Sequence, residues 1–350
     1  MKKILLAAAL AAVLLTPAQA QLYWNTNGAS ATWTAANWGS SSAGPFTTAW
    51  ATNTDVVFDA TSAVTFASTR IGNITVNANT VVSQAGTLST KVGGSTVTVA
   101  DGVTLTWTSQ SWSATATNQI WNKSGNGTWI MGANPNAANS SAASFTLNAG
   151  TVVASGNNSF GGINSLLTIN GGAITLTSGP TIANTNIVIG GNFGLQGTTA
   201  AAYFVGSVSL GSATRTITNT ASGNRAFSGN ISASSASAGL TLAGTGTTTL
   251  GGTNTYTGNT TVTGGTLSLA DNAQLRFTIG GNGINNQLVN SGGTISLDGD
   301  FVFDLSGAGT TQGNAWTIAT GSINYNGSLG SFSVASTSGA FTETFSGSGI

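Results

Sequence analysis

The chain has 350 residues, of which 5% are charged, with equal numbers of acidic and basic side chains and no histidine or cysteine. Charge this sparse, against about 25% in ordinary soluble domains, offers no basic field for nucleic acid and leaves solubility to Thr, Ser and Asn. Without histidine or cysteine, Ser-His-Asp and Cys-His catalysis, disulfides and the usual zinc and transition-metal ligand sets are excluded.

Met1-Lys2-Lys3, the apolar run Ile4 to Leu15 and Thr16-Pro17-Ala18-Gln19-Ala20 have the charged head, short apolar middle and small-residue cleavage site of a signal peptide. The expectation is a signal peptide over 1–20 and a mature start at Gln21. The apolar run falls short of the roughly 20 residues that span a bilayer, and no cysteine at the cleavage site provides a lipid anchor. Removing Lys2 and Lys3 leaves six basic against eight acidic residues. A secreted chain free of cysteine, although disulfides would be permitted outside the cell, must draw its stability from strand stacking. It also suits a polypeptide that crosses an outer membrane unfolded.

Residues 21–60 read as an N-terminal cap rich in aromatics: Trp24, Trp33, Trp38, Phe46, Trp50 and Phe58. A solenoid needs an end piece over the core of its first rung, and packing is the favoured role because such side chains bury large areas. The alternative makes Trp24, Trp33, Trp38 and Trp50 glycan-contact residues whose ring faces stack on sugars.

Residues 61–305 read as β-helix coils. Short alternating bursts recur, among them Ile74-Thr75-Val76, Val97-Thr98-Val99, Val103-Thr104-Leu105, Leu167-Thr168-Ile169, Ile174-Thr175-Leu176 and Ile187-Val188-Ile189, and each ends at Asn, Gly or Ser. A glycine that opens such a burst stands at Gly150, Gly172, Gly265 and Gly293. The intervals of 22, 93 and 28 residues fit a coil of near 23 residues, the largest interval being four coils and the last one a coil with a loop insertion. Prolines at 17, 45, 135 and 180 fall at turns and leave ladders uninterrupted. Regular branched apolar residues set the chain apart from a disordered Gly/Ser/Thr/Asn-rich segment.

Two stretches near 120–153 and 239–269 carry a longer pattern. The second, from Gly239 to Leu269, joins strands at Leu240-Thr241-Leu242, Thr247-Thr248-Thr249-Leu250, Thr261-Val262 and Thr266-Leu267 through Gly244-Thr245-Gly246, Gly251-Gly252, Tyr256-Thr257-Gly258-Asn259 and Gly264-Gly265. The first is degenerate: Lys123-Ser124-Gly125-Asn126-Gly127-Thr128-Trp129-Ile130-Met131-Gly132, closing with Leu147-Asn148-Ala149-Gly150-Thr151-Val152. The pattern resembles the autotransporter-associated β-strand repeat. The 239–269 copy departs at Leu242, where the family usually has a lysine, and the 120–153 copy keeps the lysine but loses the tyrosine turn. The resemblance implies a right-handed parallel β-helix in a secreted or surface-exposed passenger region.

Residues 306–350 complete the reading as C-terminal strands with an incomplete end. The sequence shows no Pro-Glu-Pro tail, final membrane helix or barrel, so the chain either continues in a longer protein or uses a separate export machine. Just before this segment, Leu297 to Leu305 clusters Asp298, Asp300 and Asp304, which alternation places with Val302 on the face opposite Phe301 and Phe303. Three carboxylates on one edge are foremost solvated charges that discourage aggregation. They are also candidates for calcium or, two of them together, for acid–base work on a glycosidic bond, while calcium-assisted lyase chemistry would want a basic residue nearby, for which Arg276 is the candidate.

The fold expectation is therefore all-β, a parallel β-solenoid. The functional expectation is a non-enzymatic, adhesin-like structural protein, extracellular or on the outer surface of a Gram-negative-type bacterium. No cofactor is expected, and the expected partners are glycans, other surface proteins or further copies of the chain. A polysaccharide-active lyase or hydrolase and a carbohydrate-binding module are the alternatives.

Overall fold

The computed structural model describes residues 21–24, 31–32, 37–43, 50–66, 69–84, 86–108, 119–132, 144–157, 159–198, 200–325 and 332–337. The segment 1–20 and Trp33 lie outside them. The described residues are all-β, with no helix among them, and they form a parallel β-solenoid. No helix of the described residues is long and apolar enough to cross a membrane.

Two long sheets make the principal sides. One has eleven strands, running from Gln21–Trp24 through strands such as Ser144–Leu147, Leu166–Ile169 and Asn186–Ile189 to Ile231–Ser232. The other has thirteen and extends to Ala319–Thr320. A third, seven-stranded sheet begins at Thr181–Ile182 and turns the cross-section into a triangle. Beyond Ile231 the first side is carried on by a four-stranded sheet, since Thr255 N donates to Ile231 O at 2.8 Å. Every strand pair named here is parallel except one. Trp38–Gly39 runs antiparallel to Gln21–Trp24 and occupies that end of the eleven-stranded sheet.

The alternating sequence decides which side chains enter the core. In Thr151–Ala154 and Ala173–Leu176 the second and fourth residues are buried and the others face outward, the period of two that a strand imposes. Register stacks like on like: Leu167 on Ile187, Ile187 on Val208 and Val208 on Ile231. Each such side chain contributes about 1.5–3 kcal/mol on burial, and a one-residue slip would turn the whole set outward. The register therefore locks coil to coil.

Partners in the thirteen-stranded sheet are offset by 24 residues from Thr104 to Thr128, 23 from Thr128 to Thr151, 22 from Thr151 to Ala173 and 21 from Ala173 to Gly194. This is the coil length expected from the glycine intervals. The glycines themselves, however, mark two corners. Gly150 and Gly172 open strands of the thirteen-stranded sheet, whereas Gly265 and Gly293 open Thr266–Leu269 and Thr294–Leu297 of the seven-stranded sheet. The 93-residue interval is thus four coils plus one corner. The 28-residue offset between Thr266 and Thr294 is an insertion with register intact, since Leu267 still stacks on Ile295 and Leu269 on Leu297. The extra residues emerge after Gln274–Thr278, where Gly280 N donates to Ile284 O at 2.7 Å and Ile284 N to Gly281 O at 2.9 Å.

Aromatic packing extends well past the first sixty residues. A chain of ring contacts runs inside the core from Phe66 to Trp107 (5.6 Å), Trp107 to Trp129 (5.4 Å), Trp129 to Phe145 (5.9 Å) and Phe145 to Phe160 (5.1 Å). Asparagines at corners stitch successive coils. Oδ1 of Asn73, Asn79, Asn157, Asn192 and Asn230 accepts the backbone N–H of Thr96, Thr104, Thr181, Thr216 and Thr253 respectively, each 23 to 25 residues on. These amides do for a corner what the ladder does for a strand, tying the backbone of one coil to the next.

Candidate functional site

The candidate sugar-stacking tryptophans are placed by the core. Trp24 and Trp38 are 3% and 0% exposed, their rings meet at 4.8 Å and 66°, and Phe58 stands 6.0 Å from Trp38. Both are packed edge-to-face within the core and present no ring face to solvent. Trp50 is half-buried and packs against the same core. Tyr203 is the aromatic side chain that the described surface does expose, at 44%, on the outward face of Ala202–Phe204.

The carboxylate run does not form one edge. Leu297 ends a strand of the seven-stranded sheet and Asp300 begins Asp300–Leu305 of the four-stranded sheet, so Asp298 and Gly299 make a corner between two sides of the solenoid. A strict alternation carried through 297–305 therefore misplaces Asp298. Asp304 is bound to Arg276, whose Nη2 lies 2.6 Å from Oδ2, and its Oδ1 accepts Ser306 N at 3.1 Å. A guanidinium engaged in that pair is a poor general base. Among the described residues no three acidic side chains converge as a metal site.

Two cations lie inside the solenoid, and both serve the backbone. Lys123 follows Trp121 at the next inward position of Ile120–Ser124 and is fully buried. Its Nζ donates to Ser124 O (2.8 Å), Gly125 O (2.7 Å) and Ala149 O (3.2 Å). Burial lowers its pKa from 10.5 to about 8. Arg225, also fully buried, donates from Nη1 to Ala200 O and Asn224 O and from Nη2 to Gln196 O and Thr198 O, at 2.8 to 3.2 Å. Burial lowers its pKa as well. At the corner after Leu242 the corresponding duty falls to Asn219, whose Nδ2 donates to Thr247 O at 2.8 Å and Thr248 Oγ1 at 3.1 Å.

One surface groove of about 570 Å³ lies along the corner that precedes the thirteen-stranded sheet. It crosses four successive coils, and hydrogen bonds between them define its length: Thr214 Oγ1 to Ser237 O, Thr257 Oγ1 to Ala236 O, and Asn286 Nδ2 to Gly258 O. The insertion supplies one wall through Ile284, Asn285 and Asn286. No protein-family model, curated protein or solved structure matches the chain. Chemistry must accordingly be read from the side chains, and every polar one lining this groove is Thr, Ser or Asn.

Sequence reasoning passed over the groove because no short motif encodes it. It arises where an insertion overhangs turns that are far apart in the chain. The buried cations left a clearer signal: Trp121-Asn122-Lys123 in an alternating run puts the lysine at an inward position.

Proposed function

We propose that the chain is a secreted, cell-surface structural protein of the autotransporter-associated repeat type, a stiff and non-catalytic stalk whose long sides act as an adhesin. The observation that carries this reading is the outward face of the coils. Thr247, Thr266 and Thr294 form one ladder, Thr216, Thr241 and Thr261 another, and Thr249, Ser268 and Ser296 a third. Rows of small hydroxyl side chains at the spacing of the strands give a long, neutral, hydrogen-bonding surface, while the interior holds the stalk together through stacked apolar residues. The leader-like segment 1–20, the absence of cysteine and the repeat at 239–269 support export to the outer surface of a Gram-negative-type cell.

Expression from Met1 in a host with an outer membrane tests the location. The expected result is a product that begins at Gln21 and is removed by protease added to intact cells; retention inside the cell with an uncleaved leader overturns it. The non-catalytic part is tested by incubating purified 21–350 with acidic and neutral polysaccharides, with and without calcium. No reducing ends or unsaturated products are expected, and release of either, abolished by Asp300→Ala, would establish the enzyme instead.

A further inference from the structure

We infer that the groove between residues 214 and 286 binds an extended, neutral oligosaccharide. This rests on the surface-contact reading for the class of ligand, and it is tested on purified protein so that it fails independently of export.

Four features argue for it. No charged side chain lines the groove, so an anionic polymer, nucleic acid or acidic peptide finds no counter-charge there. The hydroxyls of Thr214, Ser237, Thr257 and Thr261 and the amide of Asn259 offer both donors and acceptors, which is what a polyol needs and an apolar ligand wastes. Ile284, 67% exposed on the inserted turn, supplies an aliphatic surface for the C–H face of a sugar ring. The groove also runs along the solenoid axis, so its polar groups recur at the strand spacing of about 4.8 Å, close to the repeat of hexose units in an extended β-linked chain.

The wall is also preorganised. Asn285 is held by its Nδ2, which donates to Asn286 O at 2.8 Å and Thr317 O at 2.7 Å. Asn286 Oδ1 accepts Thr278 N at 2.7 Å, and Asn259 Oδ1 accepts Gln287 N at 2.8 Å.

The test is titration of purified 21–350 with cellohexaose, laminarihexaose, mannohexaose and xylohexaose, and with hexagalacturonate as the charged counterpart, by calorimetry and by amide chemical shifts. Thr261→Trp and Ala236→Trp fill the groove from two different coils and leave the core untouched. At least one neutral hexasaccharide is expected to bind, with each variant weakening it by about tenfold or more at unchanged melting temperature, and with hexagalacturonate weaker than its neutral counterparts. Absence of binding by all four, or preference for hexagalacturonate, overturns the inference. So does binding that survives both variants; if that binding is lost in Tyr203→Ala, the surface-contact reading stands and only the groove falls.

Discussion

The Lys123 ammonium donates to Ala149 O, a carbonyl on the next coil, at 3.2 Å, while holding Ser124 O and Gly125 O on its own. One buried charge thereby closes the space between two rungs at a corner where the sheet ladder has ended. The resemblance to the repeat family drew attention to a lysine here only as a letter in a pattern. The geometry gives its use, and at Leu242, where that letter is missing, Asn219 binds the carbonyl beyond the equivalent Gly-Thr-Gly corner.

Lys123 should leave a signature in the pH dependence of stability. Its folded pKa of about 8 lies below the ordinary 10.5, so the unfolded chain binds the extra proton between those values and stability rises with pH across the window. Below pH 8 both states are charged and the full desolvation cost is present. Relative to Lys123→Met, wild type should gain on the order of 2–3 kcal/mol between pH 8 and 10.5, measured by denaturant unfolding at each pH. A difference that stays flat over that range would mean that the ammonium is solvated.

The aromatic chain in the core predicts where truncation hurts most. Trp129 is fully buried, stacks on Trp107 at 5.4 Å and touches Trp121 and Phe145 at 6.2 and 5.9 Å. Trp129→Ala should cost about 3–5 kcal/mol. Trp129→Phe should cost much less, because the phenyl ring keeps part of the stack and removes an indole N–H that has no partner. Equal losses in the two variants, followed by chemical denaturation, would contradict a packing role for the ring.

Much of this architecture was legible in the sequence, since it rests on local period. The alternation at Ile74–Val76, Leu167–Ile169 and Ile187–Ile189 placed strands and buried faces together, and the intervals between glycines gave the coil length. The local rule failed where the chain changes side. Leu297 to Leu305 alternates on paper, but the corner at Asp298-Gly299 divides it between two sheets, and Gly150 and Gly265 look alike while opening different sides. Aromatics also line the core beyond residue 60, with Trp107, Trp121 and Trp129 packed together among the coils. The groove was invisible because its walls meet only after four coils are stacked.

Glycine at the corner stack should tolerate no side chain. Gly150 has φ = 74°, and a Cβ there would collide with Gly125 O, Gly127 O and the Lys123 Nζ. Gly93, with φ = 86°, has open space around the same atom. Gly93→Ala should therefore show the backbone cost alone, about 1–2 kcal/mol, whereas Gly150→Ala adds a steric clash and displaces the lysine, and should lose at least twice as much. Melting curves of the two variants side by side decide this. Similar losses would show that the corner relaxes freely.

Tyr256 ties the most regular repeat to the same physics. Its ring is buried and its Oη lies 2.6 Å from Thr260 Oγ1, itself 4% exposed. Tyr256→Phe strands that hydroxyl and should cost about 1–3 kcal/mol at neutral pH, most of it recovered when Thr260→Val is added. Burial raises the Tyr256 pKa from 10 to about 12, the hydrogen bond to Thr260 opposing it. A folded pKa above the unfolded one means stability that is complete below pH 10 and drains away as pH rises through 12. Wild type should thus lose its advantage over Tyr256→Phe in that interval, by up to about 3 kcal/mol, with the order of the two proteins converging or reversing near pH 12. Unfolding free energies at pH 8, 10 and 11.5 check it, and a constant gap would place the phenol in contact with water.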